Sequence, residues 1–159
     1  MHSLCRKYSW HEVMGRNIRD HTIVLDIDGI LMADAENTID SQIVGYIVTL
    51  KTSNDIFIVS NSFRDARCAY VSETLGLPWV DSPFKKPSVS ILRYMQYDHT
   101  KPLLVIGDKI LTDGLFALRI GAEPVMMYRR VLPNDRLVIK LAYLLDDIAY
   151  SLVRLWYAR

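Results

Sequence analysis

The hydrophobic pattern along the chain predicts four short strands separated by helices. Apolar runs occupy residues 22–27, 55–60, 102–107 and 123–128, and each is continuous, with no alternation of apolar and polar residues. Continuous runs of this length are typical of strands buried on both faces. Segments with helical spacing lie between and around them, at 39–50, 63–75, 88–97 and 113–120. The alternation predicts an α/β fold with a doubly wound, Rossmann-like parallel sheet.

Glycine, proline and threonine mark the expected helix ends. Gly76 and Gly121 stand where helices should stop, because glycine readily adopts the left-handed conformation that ends a helix. Pro87 is expected as the first residue of the third helix, and Thr112 as the N-cap of the fourth.

The last segment, about 136–157, is predicted to be an amphipathic helix. Its aliphatic residues recur three or four apart, at Leu137, Leu141, Leu144, Leu145, Ile148, Leu152 and Leu155. A face packed on the core is the first interpretation. The segment and its surroundings are also rich in aromatic and basic residues: Tyr143, Tyr150, Trp156, Tyr157, Arg129, Arg130, Arg136, Lys140, Arg154 and Arg159. An in-plane membrane helix or a helix bound in a partner's groove is therefore the second interpretation.

Composition limits the partners and the number of domains. The chain has 159 residues, half of them hydrophobic, which predicts one domain over 1–159 with its motif core at 22–128. With 19 basic and 18 acidic residues the formal charge is +1, so no nucleic-acid partner is expected. Cys5 and Cys68 form no redox or metal motif, and no secretory signal is recognisable. An intracellular protein, soluble or peripheral to a membrane, is expected, with the organelle open.

The first two strands end in residues suited to a metal ion and a phosphate group. Asp26 and Asp28 follow the first strand, and two carboxylates so spaced in extended chain point the same way. A bound Mg²⁺ would relieve their repulsion. Ser60 and Asn61 follow the second strand at a predicted helix start, where backbone N–H groups favour an anion, so both are predicted to bind phosphate.

The later motifs add one cation and two more acids. Lys86 stands before Pro87, at a predicted helix start, where its ammonium group could bind the same anion. Asp108 ends the third strand and Asp113 lies in the following turn, so the four acids could form a metal site. Lys109 is expected to be an exposed charge.

These motifs, in this order, resemble the four motifs of the haloacid dehalogenase superfamily. They are DIDG after a strand, a strand ending in Ser60, Lys86, and GDKILTD after a strand, and they cover 22–122. Within the superfamily, IVSNSF, KKP and VIGDKILTDG are similar to subclass IIIA, which includes phosphatidylglycerophosphate phosphatases. Gly29 departs from this branch, which usually has Asn after the second aspartate.

The resemblance implies a mechanism and a role for each motif residue. Asp26 would attack phosphorus to give an aspartyl-phosphate, and Asp28 would protonate the leaving oxygen and then activate water. Ser60 and Lys86 would hold the transferring phosphoryl group. The implied Mg²⁺ ligands are the Asp26 side chain, the Asp28 backbone carbonyl, Asp108 and Asp113, the last direct or through water.

The spacing of the motifs leaves no room for a cap domain, which points to the kind of substrate. The residues between Asp28 and Ser60, and between Ser60 and Lys86, are already used by predicted helices and strands. An uncapped site suits a large or membrane-borne phosphomonoester, and phosphatidylglycerophosphate is favoured. Two alternatives stay open: a phosphatase of another large or soluble phosphomonoester, and a catalytically vestigial scaffold subunit of a larger assembly.

Overall fold

Four parallel strands form the centre of the fold. A computed structural model describes residues 2–62 and 65–157. The strands are β1 (Thr22–Leu25), β2 (Asp55–Ile58), β3 (Leu103–Gly107) and β4 (Glu123–Met126). They are arranged in the order β2-β1-β3-β4. Leu25 lies opposite Ile58 on one side and Ile106 on the other, so β1, β2 and β3 end at one edge of the sheet. The four predicted strands are confirmed.

Helices cover both faces of this sheet. They are α1 (Trp10–Met14), α2 (Ser41–Leu50), α3 (Asp65–Leu75), α4 (Leu115–Ile120) and α5 (Leu137–Tyr157), with short 3₁₀ segments at His2–Cys5 and Val89–Tyr94 and a π-helical turn at Ile110–Gly114. Ile23 and Leu25 of β1 pack on one side with α2 and α3. Val24 packs on the other with Phe116 of α4. The doubly wound α/β fold is confirmed, and residues 2–62 and 65–157 contain no cap domain.

Two of the predicted helix ends are correct and two are wrong. Gly76 and Gly121 have φ angles of 59° and 70° and end α3 and α4. Pro87 does not begin a helix. The next segment is a 3₁₀ helix that starts at Val89, and its N-cap is Ser88, whose side chain accepts a hydrogen bond from Ser90 N. Thr112 lies inside the π-helical turn, where its hydroxyl donates to the Asp113 carboxylate and therefore does not cap a helix.

The predicted packing face of α5 is exposed, so the first interpretation of this helix is wrong. The seven aliphatic residues of the stripe, Leu137 to Leu155, are 52% to 71% exposed. The helix instead contacts the protein through residues between them. Asp146 accepts a hydrogen bond from Leu111 N at 3.0 Å, and the Tyr150 hydroxyl donates to the Cys5 carbonyl at 2.8 Å. These polar contacts orient α5 with its aliphatic stripe outward.

The exposed stripe and its neighbours are here named the apolar face of α5. It comprises Leu137, Val138, Leu141, Leu144, Leu145, Ile148, Leu152, Leu155 and Trp156. Arg159 and the Tyr157 side chain, two of the residues in the predicted aromatic and basic set, lie outside the described part of the chain. In the described part, α5 and the other helices are too short or too polar to span a membrane.

Candidate active site

Three buried carboxylates meet where the strand order reverses. The chain passes from the central strand β1 to β2 on one side and then to β3 on the other, and ligands bind at such a switch point in doubly wound sheets. Asp26 follows β1 and Asp108 follows β3. One carboxylate oxygen from each of Asp26, Asp108 and Asp113 lies within 4.8 Å of the other two. The predicted convergence of these three acids is therefore present.

Two glycines make this close approach possible. A Cβ atom at Gly107 would overlap the Asp113 carboxylate, so no other residue fits there without a shift. Gly29 has a φ of 87°, and a Cβ there would lie 2.6 Å from Asp108 Oδ2. The π-helical turn completes the arrangement, because within it Asp113 Oδ2 accepts a hydrogen bond from Lys109 N at 3.1 Å. Turns of this type occur often at functional sites.

Lys86 lies between two of the acids. Its ammonium nitrogen is 3.0 Å from Asp26 Oδ1 and 2.6 Å from Asp113 Oδ1, and its side chain is buried. The side chain of Asn61 holds the Lys86 peptide from both sides. Asn61 Oδ1 accepts from Lys86 N at 2.7 Å, and Asn61 Nδ2 donates to the Lys86 carbonyl at 2.9 Å. Asn61 thus positions Lys86, while its predicted contact with phosphate stays a prediction.

Ser60 follows β2 next to the first acid. Val59 N donates to the Leu25 carbonyl at 3.0 Å, which places Ser60 beside Asp26 at the same edge of the sheet. Ser60 is buried, and its hydroxyl oxygen accepts from Ser62 N at 3.1 Å. The fold therefore brings all seven predicted site residues to this edge: Asp26, Asp28, Ser60, Asn61, Lys86, Asp108 and Asp113.

Three basic residues that the sequence did not identify complete the site. Arg67 on α3 lies with Nε 2.9 Å from Asp28 Oδ1. Lys109, expected to be exposed, is mostly buried, with its ammonium nitrogen 3.0 Å from Asp108 Oδ1. Arg129 Nε is 3.5 Å from Asp108 Oδ2. A clustering of acids was itself a signal that cations must lie nearby, but the sequence does not show which ones.

Burial and the neighbouring cations set the ionisation of the site. Burial raises the pKa of Asp26, although the charge of Lys86 opposes the shift. Burial also raises the pKa of Asp108, to about 7, although Lys109 opposes that shift. For Asp113, burial would raise the pKa, but Lys86 and Lys109 outweigh it and the pKa is lowered. For Lys86, burial would lower the pKa, but Asp113 and Asp26 outweigh it and the pKa is raised.

The carboxylate cluster fits a magnesium ion. Mg²⁺ prefers hard oxygen ligands and usually takes one or two carboxylates together with phosphate oxygens and water. Asp26, Asp108 and Asp113 offer such oxygens within one small volume. Because burial disfavours the ionised forms of Asp26 and Asp108, an added cation would stabilise both.

A cavity of about 240 Å³ opens next to these acids. Its polar lining includes Asp26, Asp28, Asn61 and Lys109. The other wall is formed by Ile139, Ala142 and Tyr143 of α5. The helix that carries the exposed apolar face therefore also forms one side of the candidate active site.

Comparison with known proteins places the chain in one family. The family model described as mitochondrial PGP phosphatase matches residues 9–132, which include the seven predicted site residues and the three added basic residues but not α5. No curated protein and no solved structure matches the chain. The match confirms the resemblance to the phosphatidylglycerophosphate (PGP) phosphatase branch of the haloacid dehalogenase superfamily. It also supports the prediction that the protein is a phosphatase. The chain belongs to the mitochondrial PGP phosphatase family.

Proposed function

We propose that this protein removes the terminal phosphate of PGP at a membrane surface, in a Mg²⁺-dependent reaction through an aspartyl-phosphate. The proposal of a membrane-borne substrate rests on one observation: α5 both lines the candidate active-site cavity and exposes its apolar face. A lipid whose acyl chains stay in the membrane could reach the acids along this helix. The family name supports the substrate and a mitochondrial location.

The proposed chemistry has two steps. In the first, an Asp26 carboxylate oxygen attacks phosphorus, the bond to the glycerol oxygen breaks, and Asp28 gives its proton to that oxygen. In the second, Asp28 takes a proton from water as the water oxygen attacks phosphorus, which releases inorganic phosphate and restores Asp26. Dividing the displacement in this way replaces one difficult step by two easier ones.

The remaining site residues bind and orient the reacting group. Lys86 and Ser60 are buried beside Asp26 and can hold oxygens of the transferring phosphoryl group. Asn61 supports Lys86 through its hydrogen bond to Lys86 N, or adds a further contact to the phosphoryl group. Asp26, the Asp28 carbonyl, Asp108 and Asp113 would hold Mg²⁺. When bound, the ion supplies positive charge that offsets the negative charge on the phosphoryl oxygens.

The charges of α5 support a lipid surface as its partner. Both acids of the helix pair with a cation of the protein: buried Asp146 is 2.8 Å from Arg129 Nη2, and Asp147, although 57% exposed, is 3.2 Å from the same nitrogen. The helix's two basic residues, Lys140 and Arg154, are half-buried and exposed respectively. An outward surface that combines apolar side chains with cations suits an anionic membrane.

The test compares substrates and one matched pair of variants. Purified protein with Mg²⁺ should release phosphate from PGP in mixed micelles faster than from small soluble phosphomonoesters. Asp26→Asn should abolish the release, and Asp81→Asn, at an exposed aspartate, should not. Preference for the small esters would remove the lipid proposal. Release from no ester at all would favour the vestigial scaffold.

A further inference from the structure

We propose that Arg67 is a positioning residue that fixes the carboxyl group of Asp28 for proton transfer to the leaving group. The inference rests on the proposed function, because it concerns the residue proposed there as acid and base. It assigns a role to a side chain that lies outside the superfamily motifs, 39 positions from Asp28 in sequence.

The guanidinium group of Arg67 is held at three points. Its Nε lies 2.9 Å from Asp28 Oδ1, and its side chain is only 6% exposed. Its Nη1 donates to the Glu36 carbonyl and its Nη2 to the Ala33 carbonyl, both at 2.6 Å. Because the guanidinium is planar and its donors have fixed directions, the two hydrogen bonds set its orientation, and the ion pair then places Nε against Asp28 Oδ1.

The loop that holds Arg67 is itself fixed. Ala33 N donates to Glu36 Oε2 at 2.7 Å, which closes the turn, and Arg130 Nη2 is 2.7 Å from Glu36 Oε1. The position of the Arg67 guanidinium therefore depends on a tied backbone segment and not on a flexible side chain alone. The ion pair with Arg67 therefore restricts the position of the Asp28 carboxyl group as well.

Asp28 needs this support because it lies at the cavity. Its side chain is 24% exposed and lines the cavity beside Asp26. A partly exposed carboxylate can otherwise adopt several rotamers, only some of which reach a leaving oxygen. With Oδ1 held by Arg67, Oδ2 is the oxygen left to exchange a proton with the substrate.

A leaving-group comparison separates positioning from simple structural support. An alkyl phosphate such as glycerol 3-phosphate needs its leaving oxygen protonated, whereas p-nitrophenyl phosphate has a good leaving group and needs little help. We expect Arg67→Gln to lower kcat/KM on the alkyl ester about 100-fold, within the range of general acid catalysis. On the aryl ester the loss should be less than about 5-fold.

The readout is the ratio of the two kcat/KM values, measured on one preparation, because it does not depend on the folded fraction. It also reports only the first step, in which the leaving group departs, and not the later attack of water that Asp28 assists on both esters. Arg67→Lys keeps the charge but cannot make the three contacts, so it should change the ratio in the same direction and serves if Arg67→Gln does not fold. Arg93→Gln, at an exposed arginine of the Val89–Tyr94 segment, should leave the ratio within about 3-fold of wild type.

Equal losses on both esters in the Arg67 variants, or no loss, would overturn the proposal and leave Arg67 as a structural contact. Asp28→Asn provides the separate check on the proposed function. It should show the same leaving-group dependence, more strongly. If Asp28→Asn affected both esters equally, the proposed acid role of Asp28 would fail, whatever Arg67 does.

Discussion

The catalytic edge of the sheet and the outer side of α5 are opposite in character. At the sheet edge, charged groups are buried, and each of Asp26, Asp28, Asp108 and Asp113 has a cation within 3.5 Å. On α5, aliphatic side chains are exposed and both acids are paired with Arg129. Buried charge and exposed apolar surface each cost free energy, so finding them together indicates that both regions serve a function.

The two regions are joined by one ion-pair network. Arg129 lies beside the candidate metal ligand Asp108 and also beside Asp146 of α5, and it donates to the Tyr143 carbonyl at 3.1 Å. Tyr143 in turn lines the cavity. The candidate active site and the helix proposed to bind the membrane are therefore adjacent parts of one structure.

The largest expected effect is at the sheet edge. Asp26→Asn should lower phosphate release from any phosphomonoester by at least about 10⁴-fold, because the variant lacks the nucleophile. Thermal stability should stay the same or rise, since burial makes the ionised Asp26 unfavourable. Kinetics and thermal melting of the variant and of Asp81→Asn measure this. Activity within 10-fold of wild type would exclude Asp26 as the nucleophile.

The second effect tests α5 alone. Leu141→Glu with Leu145→Glu should weaken binding to anionic vesicles about 100-fold, since burying two leucines in lipid is worth about 3 kcal/mol. Hydrolysis of a soluble ester should be unchanged. Cosedimentation with vesicles measures the binding, and Leu118→Glu, at an exposed leucine of α4, is the control. Equal vesicle binding by the double variant and wild type would show that α5 is not the membrane contact.

The third effect concerns the metal ligands. Mg²⁺ at 100 times its Kd should stabilise the protein by about 2.7 kcal/mol, which raises Tm by several degrees for a chain of this size. Asp113→Asn should remove most of this shift because Asp113 belongs to the carboxylate cluster. Thermal melts with and without Mg²⁺ provide the measurement. If Asp113→Asn kept the whole shift, the ion would bind elsewhere.

The smallest effect distinguishes two roles for Asn61. If its side chain positions Lys86, Asn61→Ala should lower kcat about 10-fold with KM nearly unchanged, because it loses two hydrogen bonds to the Lys86 peptide. If Asn61 instead binds the phosphate of the bound substrate, KM should rise. Steady-state kinetics separate the outcomes, and Asn37→Ala at an exposed position is the control.

The strands and the acidic motifs could be predicted because their signals are local. Each strand is a continuous apolar run, and Asp26 and Asp108 directly follow such runs. The orientation of α5 could not be predicted in this way, because a stripe at helical spacing has the same periodicity whether it meets a core or a lipid. Its actual contacts, such as Asp146 to Leu111 N, join residues 35 positions apart.

The supporting cations were missed for a similar reason. Lys86 was found through its motif, but Arg67 and Arg129 reach their acids only after the chain has folded, from α3 and from the segment after β4. Lys109 lies next to Asp108 in sequence, yet its burial depends on Tyr143 of α5, whose ring is 5.2 Å from its ammonium nitrogen. Sequence periodicity carries no information about such pairs.

The most direct test of the central claim is to trap the covalent intermediate. Wild-type protein mixed with Mg²⁺ and substrate, then quenched in acid within one turnover, should gain the mass of one phosphoryl group, and peptide mapping should place it on Asp26. Asp26→Asn should show no such gain. A wild-type protein that hydrolyses the substrate with no trapped phosphoryl group, or with the group on another residue, would contradict Asp26 as the nucleophile.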